Sequence, residues 1–283
     1  MESGKAIRIF NDATAIVTGG ASGIGRALAE ELARRGCEVV LADLQIDKAQ
    51  DVATKIRNSG GKAKALNIDT TDFPAMEQLV RETVESSGRL DYIFNNAGIG
   101  IGCTADQYSI EDWNKIIDIN LRGVVNGIQA AYNIMIEQGF GHIVNTASMA
   151  GLMPSPLAVA YSTTKHAVVG LSQSLRAEAA QWGIRVSVLC PGVIRTPILQ
   201  GGKYGKILRD IPAEKVREMW EGFKPMSPDI FAKKVLNAIA KNKAIIIEPS
   251  QWKLIWWLNR LSPSLVMFLT QKKFQKMQKE FDL

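Results

Sequence analysis

From residue 13 to residue 248 the chain alternates short apolar runs with longer segments whose apolar positions recur three and four apart. Runs of four to seven residues rich in Val and Ile are the size of buried strands, and the longer segments read as amphipathic helices. Seven strands are predicted: TAIVT from Thr14, CEVVLA from Cys37, KAKALN from Lys62, LDYIFNN from Leu90, GHIVNTA from Gly141, RVSVLC from Arg185 and AIIIE from Ala244. Strands separated by helix-length segments run parallel and carry helices on both faces, so the expected architecture is α/β, a doubly wound parallel seven-stranded sheet in a three-layer sandwich. Gly, Pro and Asn punctuate the boundaries, as in NSGGK and EQGFG. No repeat or flexible linker interrupts the alternation, so residues 1–249 read as one domain and 250–283 as an amphipathic C-terminal extension.

Composition narrows the class. With 283 residues, 46% hydrophobic and 22% charged, the chain can bury a large core. Cys37, Cys103 and Cys190 are odd in number and widely spaced, which fits neither a disulfide framework nor a metal motif and suits a reducing, cytoplasmic setting. The start, MESGKAIRIF, has no apolar core of signal-peptide length. Only His142 and His166 are present, so no metal site is expected. The net charge of +6 is uneven: residues 250–283 carry +4 and the body only +2, which does not make a groove for nucleic acid.

The candidate chemistry lies at strand ends. TGGASGIG, Thr18 to Gly25, follows the first strand and opens a helix. Glycines at such a turn let backbone N–H groups approach a pyrophosphate, whose charge the helix N-terminus favours. Asp43 ends the second strand eighteen residues beyond Gly25, where a carboxylate accepts from an adenosine ribose and repels a 2′-phosphate. NAD is therefore expected rather than NADP, and Arg26 is placed on the helix surface. Asp69 has two open readings, acceptor for an adenine amino group or cap of the helix beginning near Phe73. NNAG at Asn95 to Gly98, Ser148 after the fifth strand and PGVIRT at Pro191 to Thr196 converge on the same end of the sheet. The expected nucleotide contacts are Gly19, Ser22, Gly23, Ile24, Gly25, Asp43, Leu44, Asp69, Thr70, Asn96, Ala97, Gly98, Tyr161, Lys165, Pro191, Gly192, Ile194 and Thr196.

Tyr161 and Lys165 are four residues apart and share one helix face. Taken with the glycine turn, NNAG, the thirteen-residue step from Ser148 to Tyr161 and PGxxxT, the chain resembles the short-chain dehydrogenase/reductase family over roughly residues 13–249. The resemblance implies a Rossmann-type fold and a catalytic set at Asn120, Ser148, Tyr161 and Lys165, Asn120 being placed by WNKIIDINLRG. It further implies that Lys165 binds the nicotinamide ribose and that Asn120 supports a water relaying protons from Lys165 to solvent.

Electrostatics gives the pair a purpose. A free phenol ionises near pH 10, and a cation at ~4 Å in an effective dielectric of ~20 favours the phenolate by about 4 kcal/mol. Tyr161 is thus expected to exchange a proton near neutrality, with Ser148 holding the substrate oxygen. Taken singly, each residue has a blander reading: Ser148 as a strand-end cap, Tyr161 as a packed aromatic, Lys165 as a solvated partner, Asn120 as a helix polar residue. The reading that unites them is an NAD-dependent oxidoreductase acting on a secondary alcohol or ketone. The alternatives are a lyase or isomerase on the same fold, or a non-catalytic NAD-sensing or scaffolding protein.

Substrate contacts are expected from Ser148, Tyr161, Leu152 and Val193, and specificity from residues 198–228. GLMPSPLAVAY suggests an apolar pocket for a lipophilic alcohol or ketone. Beyond Pro249 the resemblance ends. Charges and Pro263 break the apolar run, so two amphipathic helices are expected rather than a membrane span. They attach to an anionic membrane surface, or they pack over the pocket or against another subunit of a homodimer or homotetramer.

Overall fold

The computed structural model describes residues 6–207 and 212–281; the first five residues of the N-terminal stretch and residues 208–211 of the specificity loop lie outside the described residues. In chain order come β1 (Thr14–Thr18), α1 (Gly23–Arg34), β2 (Glu38–Asp43), α2 (Ile46–Asn58), β3 (Lys62–Asn67), α3 (Phe73–Ser87) and β4 (Tyr92–Asn95). Then follow β5 (Ile101–Gly102), α4 (Ile110–Ile117), α5 (Gly123–Gln138), β6 (Gly141–Thr146), α6 (Val159–Ala179) and β7 (Ile184–Pro191). The chain continues through β8 (Lys206–Ile207), α7 (Ala213–Glu221), α8 (Pro228–Ala240), β9 (Ile245–Glu248), α9 (Trp252–Leu261) and α10 (Pro263–Phe281).

The main sheet has seven strands in the order β3-β2-β1-β4-β6-β7-β9, every neighbour parallel. Each strand's alternation distributes its side chains to two cores. Ala15, Val17, Val39, Leu41, Tyr92 and Phe94 face one layer, which includes Leu28 and Leu32 of α1 and Phe231 and Val235 of α8. Ile16, Val40, Ala42 and Ile93 face the other, with Leu79 of α3, Ile128 of α5 and Val168 of α6. Burying each such aliphatic side chain stabilises the fold by about 1.5–3 kcal/mol relative to exposure. The doubly wound three-layer expectation therefore holds.

Strand order reverses between β1 and β4, and the two ends are knotted there by Thr18. Its Oγ1 donates to the Phe94 carbonyl at 3.2 Å and accepts from the backbone N–H groups of Asn96 and Ala97 at 2.9 and 3.1 Å. A crevice at the carboxyl ends of the strands is the consequence. A second, two-stranded sheet of β5 and β8 pins the loop after β4 to the segment after β7; two residues per strand are too few for a sequence pattern to announce.

Helices α9 and α10 follow β9, broken from one another at Pro263 as the sequence predicts. The inner side of α9 packs over the crevice: the Trp252 ring stacks on Phe223 at 6.2 Å and Asn259 Nδ2 donates to the Leu152 carbonyl at 2.9 Å. Gly192 admits this contact, because a Cβ there would stand 2.3 Å from the Trp252 indole nitrogen. Among the described residues no helix is long and apolar enough to cross a membrane.

Candidate active site

A cavity of about 1700 Å³ opens at the carboxyl ends of the strands. One end is built by the turn between β1 and α1. A Cβ at Gly25 would lie 2.1 Å from the Gly19 carbonyl oxygen, so only glycine lets the turn close this tightly. The start of α1 has no side-chain cap and no acid in its first turn, whereas Asp72 caps α3 and Ser109 caps α4. Its first N–H groups are left available for an anion. Asp43, at the end of β2, accepts from the backbone N–H groups of Ala21 at 3.0 Å and Gln45 at 2.8 Å, and it lines the same cavity. Each carboxylate oxygen keeps a lone pair for a further donor. An uncapped helix start beside a carboxylate, in a cavity larger than a drug-sized ligand needs, fits a dinucleotide.

The other end holds the proton-handling groups. Ser148, after β6, accepts from Ala150 N–H at 3.1 Å, capping a short 3₁₀ turn, and lines the same cavity as Tyr161. The blander cap and a place on the cavity wall are therefore both present. Tyr161 and Lys165 project from one face of α6, with the Lys165 Nζ 5.4 Å from the Tyr161 ring centroid. Lys165 is only 3% exposed and donates to the Thr146 carbonyl at 2.8 Å. No carboxylate pairs with it among the described residues.

Burial decides the electrostatics of this pair. It raises the Tyr161 phenol above its ordinary range, Ser148 pulling the other way, and it pushes Lys165 down to about 8. The expected acid phenol is thus not a property of the chain alone.

Asn120 occupies a π-helical turn, Asp118–Arg122, between α4 and α5. The extra residue in that turn directs the fully buried amide back toward the loop after β4, where it accepts from Ile99 N–H at 2.8 Å and donates to the Ile99 carbonyl at 2.9 Å. A Cβ at Gly98 would lie 3.2 Å from Asn120 Oδ1 and 3.6 Å from Lys165 Nζ, so both groups flank the same small residue.

The cavity wall includes Gly19, Ser22, Gly23, Ile24, Asp43, Leu44, Asp69, Thr70, Asn96, Ala97 and Gly98 from the nucleotide end. Ser148, Tyr161, Lys165, Pro191, Gly192, Val193, Ile194 and Thr196 complete the expected lining. Gly25 and Asn120 stand behind the wall. Leu152 is a correction: its side chain packs against the core under α6, its carbonyl anchors Asn259, and Met153, Pro154 and Leu157 take the wall position instead. Asp69 does not cap α3, a task that falls to Asp72; it accepts from the Thr71 N–H and hydroxyl at 2.9 and 2.8 Å on the cavity wall. Arg26 lies on the helix surface, within 3.5 Å of Glu30 and Asp229.

Lining residues that the sequence pattern did not single out include Lys48 of α2, Met219 and Trp220 of α7, Trp252, Ile255 and Leu258 of α9, and Val266, Leu269 and Phe274 of α10. The apolar spacing of α9 was a signal of amphipathicity, but it did not say what the helix would cover.

Comparison with known proteins agrees with this geometry. The family model for short chain dehydrogenase matches residues 13–203. Cyclohexanol dehydrogenase from Acinetobacter sp. (strain SE19) is 39% identical over 191 residues, which is 67% of this chain and 76% of that protein. Levodione reductase from Leifsonia aquatica is 34% identical over 222 residues, 77% of this chain and 81% of that one. A solved short chain dehydrogenase/reductase from Burkholderia phymatum, in complex with NAD, superposes with a TM-score of 0.81 at 28% identity, covering 92% of this chain and 96% of its own. With the crevice, the glycine turn and the Ser, Tyr and Lys side chains in one cavity, the chain belongs to the short-chain dehydrogenase/reductase family of oxidoreductases.

Proposed function

We propose that this protein is an NAD-dependent dehydrogenase that interconverts a lipophilic secondary alcohol and its ketone. The observation that carries the reading is that Ser148, Tyr161 and the buried Lys165 line one cavity with Asp43, the Lys165 ammonium standing 5.4 Å from the centre of the Tyr161 ring. The nicotinamide cofactor, when bound, supplies hydride transfer and, in its oxidised form, a positive ring. The residues that would hold it are the N-terminal turn of α1, Asp43, the backbone of Asn96 to Gly98 and Lys165.

The chain's own groups handle the proton and the oxygen. Ser148 holds the substrate oxygen by a hydrogen bond that strengthens as the oxygen gains negative charge. Tyr161 takes the alcohol proton in oxidation and returns it in reduction. Lys165, held by Thr146, favours the phenolate against the burial that opposes it. Asn120 positions the loop at Ile99 and supports proton exchange at Lys165. Met153, Leu157, Trp220, Ile255 and Leu258 give the cavity an apolar stretch of wall, which suits a ring or chain of carbon, beside the lysines Lys203, Lys215 and Lys273. The names of two relatives, which act on cyclohexanol and on levodione, support a ketone or alcohol on a carbon ring.

The test is turnover of cyclic, aryl and long-chain secondary alcohols with NAD and with NADP. Tyr161→Phe should lower turnover by about 10²–10⁴-fold while NADH binding, followed by fluorescence titration, stays within about threefold. A Phe variant that still turns over would remove the role assigned to Tyr161.

A further inference from the structure

Helix α9 is apolar on opposite sides. Trp252, Ile255 and Trp256 face the cavity and the core. Leu254, Trp257 and Leu261 stand on the far side, with Leu254 77% and Leu261 80% exposed. Past Pro263 the outer stripe continues through Leu265 and Phe268 of α10, both exposed. Eight of the fifteen exposed large apolar side chains among the described residues fall between 254 and 269. A helix apolar all round belongs in a core or at a lipid boundary, and a concentrated apolar patch marks an interaction rather than ordinary surface.

Charge selects the partner. From residue 250 to residue 279 the sequence has six Lys and Arg and no Asp or Glu. The Lys272 ammonium lies 4.4 Å from the centre of the exposed Phe268 ring, the posture of a cation lying along the outer apolar face, whereas Lys273 and Lys276 line the cavity. A second copy joined about a twofold axis would set these cations against their own images. An anionic lipid surface accepts both the cations and the apolar stripe. Leu258 and Leu269 each line the cavity and are also exposed, so the apolar wall of the pocket runs out onto this patch.

We propose that α9 and α10 dock on an anionic lipid bilayer and place the mouth of the cavity at the boundary between headgroups and acyl chains, so that a lipophilic substrate enters from the bilayer. The substrate route rests on the reading under Proposed function; the docking does not.

The full chain is to be co-sedimented with vesicles of phosphatidylcholine alone and of phosphatidylcholine mixed with phosphatidylserine. The expected result is recovery with the mixed vesicles, weakening as salt rises. Lys253→Ala combined with Lys272→Ala should weaken that binding about 25-fold, since each cation near an anionic surface is worth about fivefold. Leu254→Glu combined with Leu261→Glu should abolish it while leaving NADH binding and the thermal unfolding midpoint unchanged, because neither side chain lines the cavity. Equal recovery of the parent chain in the supernatant with both vesicles would overturn the proposal, as would undiminished vesicle binding of the Leu→Glu variant. A parent that ignores vesicles, but whose Leu→Glu variant falls from dimer to monomer in sedimentation, would give the face to a second copy instead. Failure to oxidise any alcohol would leave these vesicle results as they stand.

Discussion

The two ends of the central sheet treat buried charge in opposite ways. At the amino end Asp91 is fully buried and every acceptor is used: Oδ1 takes the Arg8 N–H at 2.9 Å and an Arg89 N–H at 2.5 Å, and Oδ2 takes the Thr14 N–H at 3.0 Å and Arg89 Nε at 2.7 Å. At the carboxyl end Lys165 is just as deeply buried but has a single carbonyl partner, Asp43 meets only backbone N–H groups, and α1 starts without a cap. One end closes the fold; the other keeps donors and acceptors in reserve. Since a buried charge without a counter-ion costs several kcal/mol, it persists where a ligand completes it, and that asymmetry locates the site.

Breaking the closed end should cost the most stability. Asp91→Ala leaves the Arg89 guanidinium buried without its carboxylate and orphans the Arg8 and Thr14 N–H groups, so unfolding free energy in urea should fall by about 3–5 kcal/mol. NADH affinity of the folded enzyme should not change. A comparable loss of cofactor affinity would show that the two ends are not independent.

The open end should respond with the opposite sign. Lys165→Met replaces a lone buried cation by an apolar chain of similar length, and stability at pH 7 should rise on the order of 1–3 kcal/mol while turnover collapses. Burial sets the folded value of Lys165 at about 8, below the 10.5 of an unperturbed lysine, so the unfolded chain binds the proton more tightly. The wild-type penalty is therefore absent above pH 10.5, grows as pH falls toward 8 and is complete below it. Urea titrations of both proteins at pH 7 and near pH 10.5 check this; a gap independent of pH would mean that the lysine is not the source.

Much of this contrast is legible in sequence because it rests on local spacing. Tyr161 and Lys165 share a face through the helical repeat alone, Asp43 falls at a strand end through the length of one βα unit, and the runs of Val and Ile fix seven strands to within two residues. What depends on distant partners was not legible. Leu152 is half-buried against the core, and its carbonyl is held by Asn259, over a hundred residues on. Asn120 needs a π turn that no periodicity marks, and the raised phenol of Tyr161 follows from burial, which a sequence does not display. The tail's amphipathic spacing leaves packing over the pocket as one of three readings; that α9 roofs the cavity with one side and exposes the other emerges only in three dimensions.

The finest distinction concerns Asp43, which serves both the turn and the expected ribose. Asp43→Ala would remove both roles at once, so Asp43→Asn is the sharper variant: the amide oxygen still accepts one of the two backbone N–H groups, the amide nitrogen faces the other, and the negative charge is gone. Rejection of a 2′-phosphate rests on that charge, and without it the positive charge of Lys48, which lines the same cavity and donates to Gln45 Oε1 at 3.0 Å, is no longer opposed there. The NAD-to-NADP ratio of kcat/KM should fall by about tenfold, roughly 1.4 kcal/mol, and the backbone N–H left without an acceptor should lower stability in urea by about 1–3 kcal/mol. An unchanged ratio with that loss of stability would mean that Asp43 only braces Ala21 and Gln45. The carboxylate would then belong with Asp91 as a structural group, and selection between the two cofactors would have to come from elsewhere on the wall.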